Sequence, residues 1–265
     1  MAEGVSDVFE TAGNVVHDAL SGWVGEVAAS LMTAAAAAMK SAISMIGYGA
    51  SGVTRIVAGA ATARPTIALA GARDSVASVM GGVLVTIGSA LHFVNAVFLG
   101  TRTRPLTKGE REIVERVFGK SLAYYNIRIA LGRGGLFRLG YALAGCKHAR
   151  PFVLGNTIYF FGGTVESDVL IHECTHVWQY QHCGPAYAAK ALAAQFILGN
   201  AAYDWMREVK RGRTRWQDMN FEAQAQLVQD AWCRGHETLH HASPARGAIA
   251  TIVGARTARL SSLRR

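Results

Sequence analysis

The strongest chemical signal in the chain is a pair of histidines four residues apart. His172 and His176 flank Glu173 in an H-E-x-x-H pattern inside an apolar stretch. On an α-helix, positions four apart share a face, so the two imidazoles can point at one metal ion. Zinc binds such nitrogens at about 2.0–2.1 Å, and Glu173 would stand beside the ion, where it can take a proton from a bound water. The spacing predicts a zinc site with His172 and His176 as ligands and Glu173 as the general base.

A catalytic zinc ion has three protein ligands and one open position, so a third ligand is needed. Glu222 is the preferred candidate because it opens a downstream helix beside small alanines. His182 has a spacing that some zinc proteases use, but on an unbroken helix it stands about 15 Å along the axis from His172. A second H-E-x-x-H pattern at His236–His240 and the acid Asp230 could also supply the ligand. The residues alone leave this choice open.

The elements around the motif predict an α+β domain with a small sheet. The motif helix ends at Gly184, and residues 152–161 read as a β-hairpin about a Gly-Asn turn. Its second strand, Thr157–Phe161, could bind an extended peptide by edge pairing. A capping box at Thr107–Glu110 opens an earlier helix, and one long helix is expected from residue 186 to 209. The next helix, from about Asn220 to Trp232, would present Glu222.

The first hundred residues differ from the rest in composition and charge. Residues 1–100 hold four Lys/Arg and six Asp/Glu, whereas the whole chain carries +9. No charged residue occurs from Ser75 to Thr101, a stretch long enough to span ~30 Å of hydrocarbon as a helix. It is either half of a membrane-inserting hairpin, with residues 28–54 as the other half, or a helix buried in a soluble bundle.

These contrasts predict three regions. Residues 1–104 form an apolar, Gly/Ala-rich helical region that closes with a linker at Arg102–Pro105, residues 105–241 form the metal-site domain, and residues 242–265 form a basic tail. Residues 75–100 are the expected place of any membrane contact.

Cysteine spacing and the N-terminus indicate where the protein is made. The four cysteines show no C-x-x-C spacing, which favours free thiols and a reducing compartment. The first residues are acidic and lack a basic region leading into an apolar core, so we expect no secretory signal peptide. Export, if it occurs, would use another route.

Basic segments at Arg207–Arg215 and in the tail raise the possibility of nucleic-acid binding. No recognition motif accompanies them, and basic loops on basic proteins are usually solvated surface. We therefore expect no specific nucleic-acid partner.

Residues 106–230 resemble bacterial zinc metallopeptidases of the zincin class, of the gluzincin-like kind. The resemblance rests on the helix from Leu106 to Phe118, the turn Gly155–Ile158, the motif His172–Gln179 and the segment Asn220–Ala225. Some such enzymes are encoded with type VI secretion or other contractile injection systems. The resemblance implies a zincin-like fold, His172, His176 and Glu222 as zinc ligands, and Glu173 as base.

The expected function is zinc-dependent hydrolysis of peptide bonds by a bacterial secreted effector or toxin. It would be made in the cytoplasm and exported by a contractile system, with a peptide or protein substrate and a secretion-apparatus, chaperone or immunity partner. Tyr203 and His236 are candidates for stabilising the developing oxyanion. The rival function is a non-catalytic docking or structural component of a secretion system, in which zinc only stabilises the fold.

Overall fold

The computed structural model describes residues 11, 12, 15, 22–99, 102–132 and 150–234. This part of the chain is mostly helical with one small mixed sheet, which agrees with the predicted α+β class. The second motif, His236–His240, and the basic tail at 242–265 lie outside the described residues.

Two long helices form an N-terminal hairpin. They are α1 (Trp23–Ala61) and α2 (Pro65–Leu99), joined by a turn in which Ala63 adopts a positive φ of 50°. Pro65 suits the first position of α2, because proline lacks the N–H that a helix start leaves unbonded. The helices touch closely at small residues: a Cβ added to Gly59 would lie 2.5 Å from the backbone nitrogen of Ala68. Residues 28–54 thus pair with the apolar stretch, as one of the two alternatives has it.

The hairpin turns polar residues towards the rest of the protein and apolar ones outward. Buried Glu26 accepts a hydrogen bond from Thr103 Oγ1 at 3.0 Å, and buried Lys40 lies 4.4 Å from the ring centre of Tyr180. Asp74 pairs with Lys190 at 3.0 Å. By length and composition, segments Val24–Ala61 and Pro65–Val97 could each cross a membrane, although core helices can meet the same test.

Four short strands form a sheet in the order β1-β2-β4-β3. They are β1 (Thr103–Arg104), β2 (Arg128–Leu131), β3 (Phe152–Leu154) and β4 (Thr157–Phe160). β2 and β4 are parallel, and the other neighbouring pairs are antiparallel. The predicted hairpin about Gly155-Asn156 is confirmed as β3 and β4.

One expectation about the sheet is wrong, and a segment predicted as a linker is a strand. Thr103–Arg104, within the predicted linker at Arg102–Pro105, form β1 and pair with β2. The strand Thr157–Phe161 was expected to offer a free edge, but β4 pairs with β2 on one side and β3 on the other. Edge position depends on which strands meet in three dimensions, and local alternation of side chains carries no such information.

The remaining helices surround this sheet. They are α3 (Lys108–Phe118), α4 (Ser167–Cys183), α5 (Ala186–Leu198), α6 (Trp205–Lys210) and α7 (Phe221–Cys233). The predicted capping box is confirmed, since Glu110 N donates to Thr107 Oγ1 and Thr107 N donates to Glu110 Oε2. Gly184, with φ 68°, ends α4 as expected.

The single helix expected from 186 to 209 is broken. α5 ends at Leu198, Gly199 adopts a φ of 55°, and a 3₁₀ turn (Gly199–Tyr203) precedes α6. A positive φ is easy for glycine and costly for other residues, so the break falls at Gly199. It brings Tyr203 back towards α4, which matters for the site below.

Candidate metal site and cleft

Helix α4 presents two imidazoles on one face. His172 and His176 are both buried, and their ring centres lie 5.1 Å apart. Because they are one turn apart, the helix backbone sets their separation, and the neighbouring core side chains Leu170, Ile171 and Val177 hold that helix in place.

Helix α7 supplies the third group. Glu222 lies in its first turn, behind the cap formed by Asn220, whose side chain accepts from Ala223 N at 3.0 Å. Glu222 Oε2 is 3.5 Å from His172 Nε2 and 3.4 Å from His176 Nε2. Two ligand atoms bound at about 2.0–2.1 Å to one tetrahedral ion lie about 3.3 Å apart. The three side chains therefore form a buried group of the size that could hold a metal ion.

Hydrogen bonds on the far side of each imidazole set the tautomer. His172 Nδ1 donates to Gln229 Oε1 at 3.1 Å, and Gln229 Nε2 donates to Asp168 Oδ2 at 2.9 Å. His176 Nδ1 donates to Gln179 Oε1 at 2.7 Å. With hydrogen on Nδ1, a neutral imidazole turns the lone pair of Nε2 towards the centre of the group, as metal ligation requires.

The other carboxylate oxygen of Glu222, Oε1, accepts a hydrogen bond. Gln195 Nε2 donates to Glu222 Oε1 at 2.9 Å and lies 3.1 Å from Tyr203 Oη. The carboxylate is thereby oriented with Oε2 towards the two imidazoles.

Burial and neighbouring charges shift the pKa values of Glu222 and His176. Burial opposes the ionised form of Glu222, yet the neighbouring imidazoles outweigh it and hold its pKa well below the usual range. Burial also lowers the pKa of His176, but the charge and hydrogen bond of Glu222 raise it to about 9. The site thus favours a negative carboxylate facing positive charge, which a divalent cation can supply as well as protons can.

Glu173 lies beside the three groups without joining them. It is buried and lines the cleft described below, and its Oε2 has no hydrogen-bond partner among the described residues. Burial raises the pKa of Glu173, and the nearby imidazoles lower it by less. A carboxylate in this setting accepts a proton more readily than an exposed one.

Two further candidate ligands do not reach the group. His182 stacks on Trp178 with ring centres 4.3 Å apart, and its Nδ1 donates to the Trp178 carbonyl. Asp230 accepts from Trp205 Nε1 at 2.9 Å. Among the candidate third ligands within the described residues, only Glu222 meets both imidazoles.

Tyr203, a candidate oxyanion-stabilising residue, lies close to the site, whereas His236 lies outside the described residues. The ring centres of Tyr203 and His172 are 5.9 Å apart. Burial raises the pKa of Tyr203 to about 12, so its hydroxyl keeps a proton to donate at neutral pH.

The glutamines that orient the ligands were not predicted from the sequence. Gln179 lies three residues after His176 and Gln229 seven after Glu222, so both stand on the faces that carry ligands. Helical spacing could have suggested them as neighbours. It could not have shown that they bind the imidazoles.

A cleft of about 390 Å³ opens onto the group. One wall is β3 with the residues before it, and the other is α5 with the 3₁₀ turn after it. His172, Glu173, His176 and Glu222 all line this cleft. The basic loop near α6 lies elsewhere, and two of its arginines are paired: Arg213 with Glu208 at 2.7 Å and Arg215 with Asp218 at 2.8 Å.

A comparison of the sequence with known proteins gives a distant relative. The chain is similar to the type VI secretion system spike protein VgrG2b of Pseudomonas aeruginosa, with 26% identity over 181 residues. The match covers 62% of this chain and 16% of the relative. The chain matches no family model and no solved structure. It therefore shows distant similarity to a component of a type VI secretion system.

Proposed function

We propose that the chain is a zinc-dependent peptide-bond hydrolase of the zincin, gluzincin-like class, associated with type VI secretion. The observation that carries the proposal is the approach of Glu222 Oε2 to within 3.5 Å of both imidazole Nε2 atoms, next to the buried carboxylate of Glu173. Three protein ligands facing a cleft are typical of catalytic zinc, whereas structural zinc is usually enclosed by four.

The donor set fits zinc. Two imidazole nitrogens and one carboxylate oxygen suit this borderline-soft ion, and the Nδ1 hydrogen bonds already orient both rings. A zinc ion bound here would act as a Lewis acid, which lowers the pKa of a water molecule and polarises a substrate carbonyl.

Glu173 and Tyr203 are the groups proposed to handle the proton and the developing charge. Glu173 accepts the proton of the attacking water and passes it to the leaving amine. The hydroxyl of Tyr203 accepts from Gln195 and has its own proton to donate to the carbonyl oxygen of the substrate.

The substrate peptide is proposed to lie in the cleft between β3 and α5. β3 is the edge strand on this side of the sheet, so it replaces Thr157–Phe161 as the candidate for pairing with an extended peptide. The carbonyl of Val153 accepts from Tyr187 Oη at 2.7 Å, which leaves only part of that edge available.

The biological role is proposed as that of a secreted effector or toxin. The relative is a spike protein by name, and the similarity supports delivery with, or as part of, a secretion apparatus. Synthesis in a bacterial cytoplasm, followed by export through the contractile system, is consistent with this role. Chaperone and immunity partners belong to the same proposal.

The name of the relative also favours a second candidate. A spike protein is a structural component, and a zinc ion joining α4 to α7 could serve only to stabilise a docking module. This candidate needs the ligands but has no use for Glu173.

Replacement of Glu173 separates the two. Glu173→Gln keeps the size of the side chain but removes the base, so we expect peptide hydrolysis to fall by about 10²–10⁴-fold. Zinc content, measured by mass spectrometry of the purified full chain, should stay near that of the unmodified protein.

Glu166→Gln is the matched control, because Glu166 is exposed at the N-cap position of the same helix and its side chain makes no capping hydrogen bond there. It should leave both hydrolysis and zinc content unchanged. Full hydrolysis by Glu173→Gln would contradict Glu173 as the base. Absence of hydrolysis by the zinc-loaded unmodified protein would contradict the hydrolase and leave the zinc-stabilised module.

A further inference from the structure

The N-terminal hairpin supplies part of the cleft wall. Leu84, in the middle of α2, lines the cleft together with residues of β3, α4 and α5. The region predicted to precede the metal-site domain therefore contributes to the cleft of that domain.

Two glycines explain how α2 comes so close. Gly81, Leu84 and Gly88 are three and four residues apart, so they share one helix face. A Cβ on Gly81 would lie 2.2 Å from the carbonyl oxygen of Pro185, and one on Gly88 would lie 2.4 Å from Leu154 Cδ1. α2 thus rests directly on the start of α5 and on the end of β3, and Leu84 faces the gap between them.

The cleft differs in chemistry between its two ends. Near Leu84 its walls are apolar, and at the other end Arg150 donates to Asn200 Oδ1 at 3.3 Å and lies 5.2 Å from the ring centre of Tyr203. The apolar residues that line the cleft are Leu84, Pro151, Phe152, Val153, Leu154, Ala188, Ala191 and Leu192.

The two histidines fall on different sides of this division. His176 lies beside Tyr187, at the start of α5, with ring centres 6.3 Å apart. His172 lies beside Tyr203, at the polar end, with ring centres 5.9 Å apart. A group bound against Leu84 would therefore sit on the His176 side of the reacting bond.

We infer that this end of the cleft is a subsite for an apolar side chain of the substrate peptide, and that Leu84 of the hairpin is a specificity-determining residue. The inference rests on the proposed hydrolase function. An apolar pocket separates substrates that differ by a methylene by about 10- to 200-fold, so removing part of one wall should reduce discrimination by at least about tenfold.

The test is a cleavage profile of the full zinc-loaded chain on a positional-scanning library of blocked octapeptides. The unmodified protein should prefer Leu or Phe over Ser at one position next to the cleaved bond. Leu84→Ala should reduce that preference at least about tenfold. Leu84→Trp places a larger side chain at the same end of the cleft. Its cleavage of peptides with Phe at this position should therefore fall more than its cleavage of peptides with Ala there.

Leu69→Ala is the matched control, since Leu69 lies on the same helix, is 72% exposed and does not line the cleft. It should leave the preference intact. Zinc content and melting temperature of each variant check that the fold is retained. An unchanged preference in folded Leu84→Ala and Leu84→Trp would overturn the inference.

A binding measurement distinguishes failure of the subsite from failure of the hydrolase. The same peptides are titrated against Glu173→Gln with and without Leu84→Ala, by fluorescence anisotropy. Binding of apolar peptides that depends on Leu84, without any cleavage by the unmodified protein, would support the subsite and contradict the hydrolase. Absence of both binding and cleavage would overturn both proposals.

Discussion

At the scale of single residues, the site depends most on a buried negative charge. Glu222 is 2% exposed, and a desolvated carboxylate costs several kcal/mol unless charge and hydrogen bonds compensate it. Here His172, His176 and Gln195 provide that compensation. A cation held between the three ligands would compensate the same charge.

Replacing Glu222 should therefore remove the metal. We expect Glu222→Gln to lower zinc affinity by more than about 100-fold, beyond the range found for losing an outer hydrogen-bond partner. Competition with a chromophoric chelator measures the affinity. Asp230→Asn is the control, because Asp230 lies on the same helix but binds Trp205 instead. Equal zinc affinity in Glu222→Gln and the unmodified chain would exclude Glu222 as a ligand.

The glutamine behind His172 should have a smaller effect. Gln229→Leu removes the acceptor of His172 Nδ1, so the ring loses its preferred tautomer and orientation, and zinc affinity should fall by about 10–100-fold. Gln226→Leu, on the same helix, removes a bond to Asp230 and should leave zinc affinity unchanged. Similar affinities for the two variants would show that the Gln229 contact does not support the site.

At the scale of elements, the hairpin has an unusual distribution of side chains. The outward residues Val76, Val79, Val83 and Ile87 are about half exposed and follow helical spacing along α2. Polar residues such as Glu26 face the sheet instead. Exposing such a surface to water is costly, because burying apolar surface is favourable by about 25 cal/mol of free energy per Å².

Membrane contact through residues 75–100 stays a prediction, and this outward face makes it specific. The full chain should float with vesicles of anionic phospholipid, and Val79→Asp combined with Val83→Asp should abolish flotation, because buried charges oppose insertion. Lys120→Glu changes the net charge by the same amount at an exposed site outside the hairpin and should still float. If the unmodified chain stays with the soluble fraction, a hairpin packed in a soluble bundle is the better interpretation.

At the scale of the whole molecule, one ion would join distant parts of the chain. α4 and α7 are separated in sequence by α5 and α6, and the candidate ligands His172, His176 and Glu222 come from both of them. A ligand that binds only the folded state stabilises it, by about 4 kcal/mol at a concentration 1,000 times its Kd.

Chelation should therefore lower the melting temperature of the full chain by about 10 °C, since about 1 kcal/mol corresponds to 2–4 °C for a chain of this size. Scanning calorimetry with and without EDTA measures the shift. His176→Ala, which lacks one ligand, should melt at the same temperature in both conditions. A chelator effect of equal size in His176→Ala would place the stabilising ion elsewhere.

The relation to secretion also belongs to the whole molecule. The similarity covers 16% of the spike protein, so the activity and partners of that longer protein do not carry over to this chain directly. What the two share over 181 residues supports a common setting, type VI secretion.

The sequence by itself determined the local features of this protein. The spacing of His172 and His176, the capping box at Thr107 and the turn at Gly155 are set by contacts within a few residues, so their patterns can be read directly. Glu222 as a third group near the imidazoles was also anticipated, from a helix start and a resemblance. In the structure, the Glu222 carboxylate lies next to both imidazoles.

Only the tertiary structure decided the features that join distant segments. It showed that β4 is interior, that α5 breaks at Gly199, that Gln229 supports His172 and that Leu84 reaches the cleft. Each follows from packing between elements far apart in sequence, where local propensity and periodicity hold no information about the partner. The residues of the site could be found one helix at a time, whereas the cleft that surrounds them exists only once the helices and the sheet have packed.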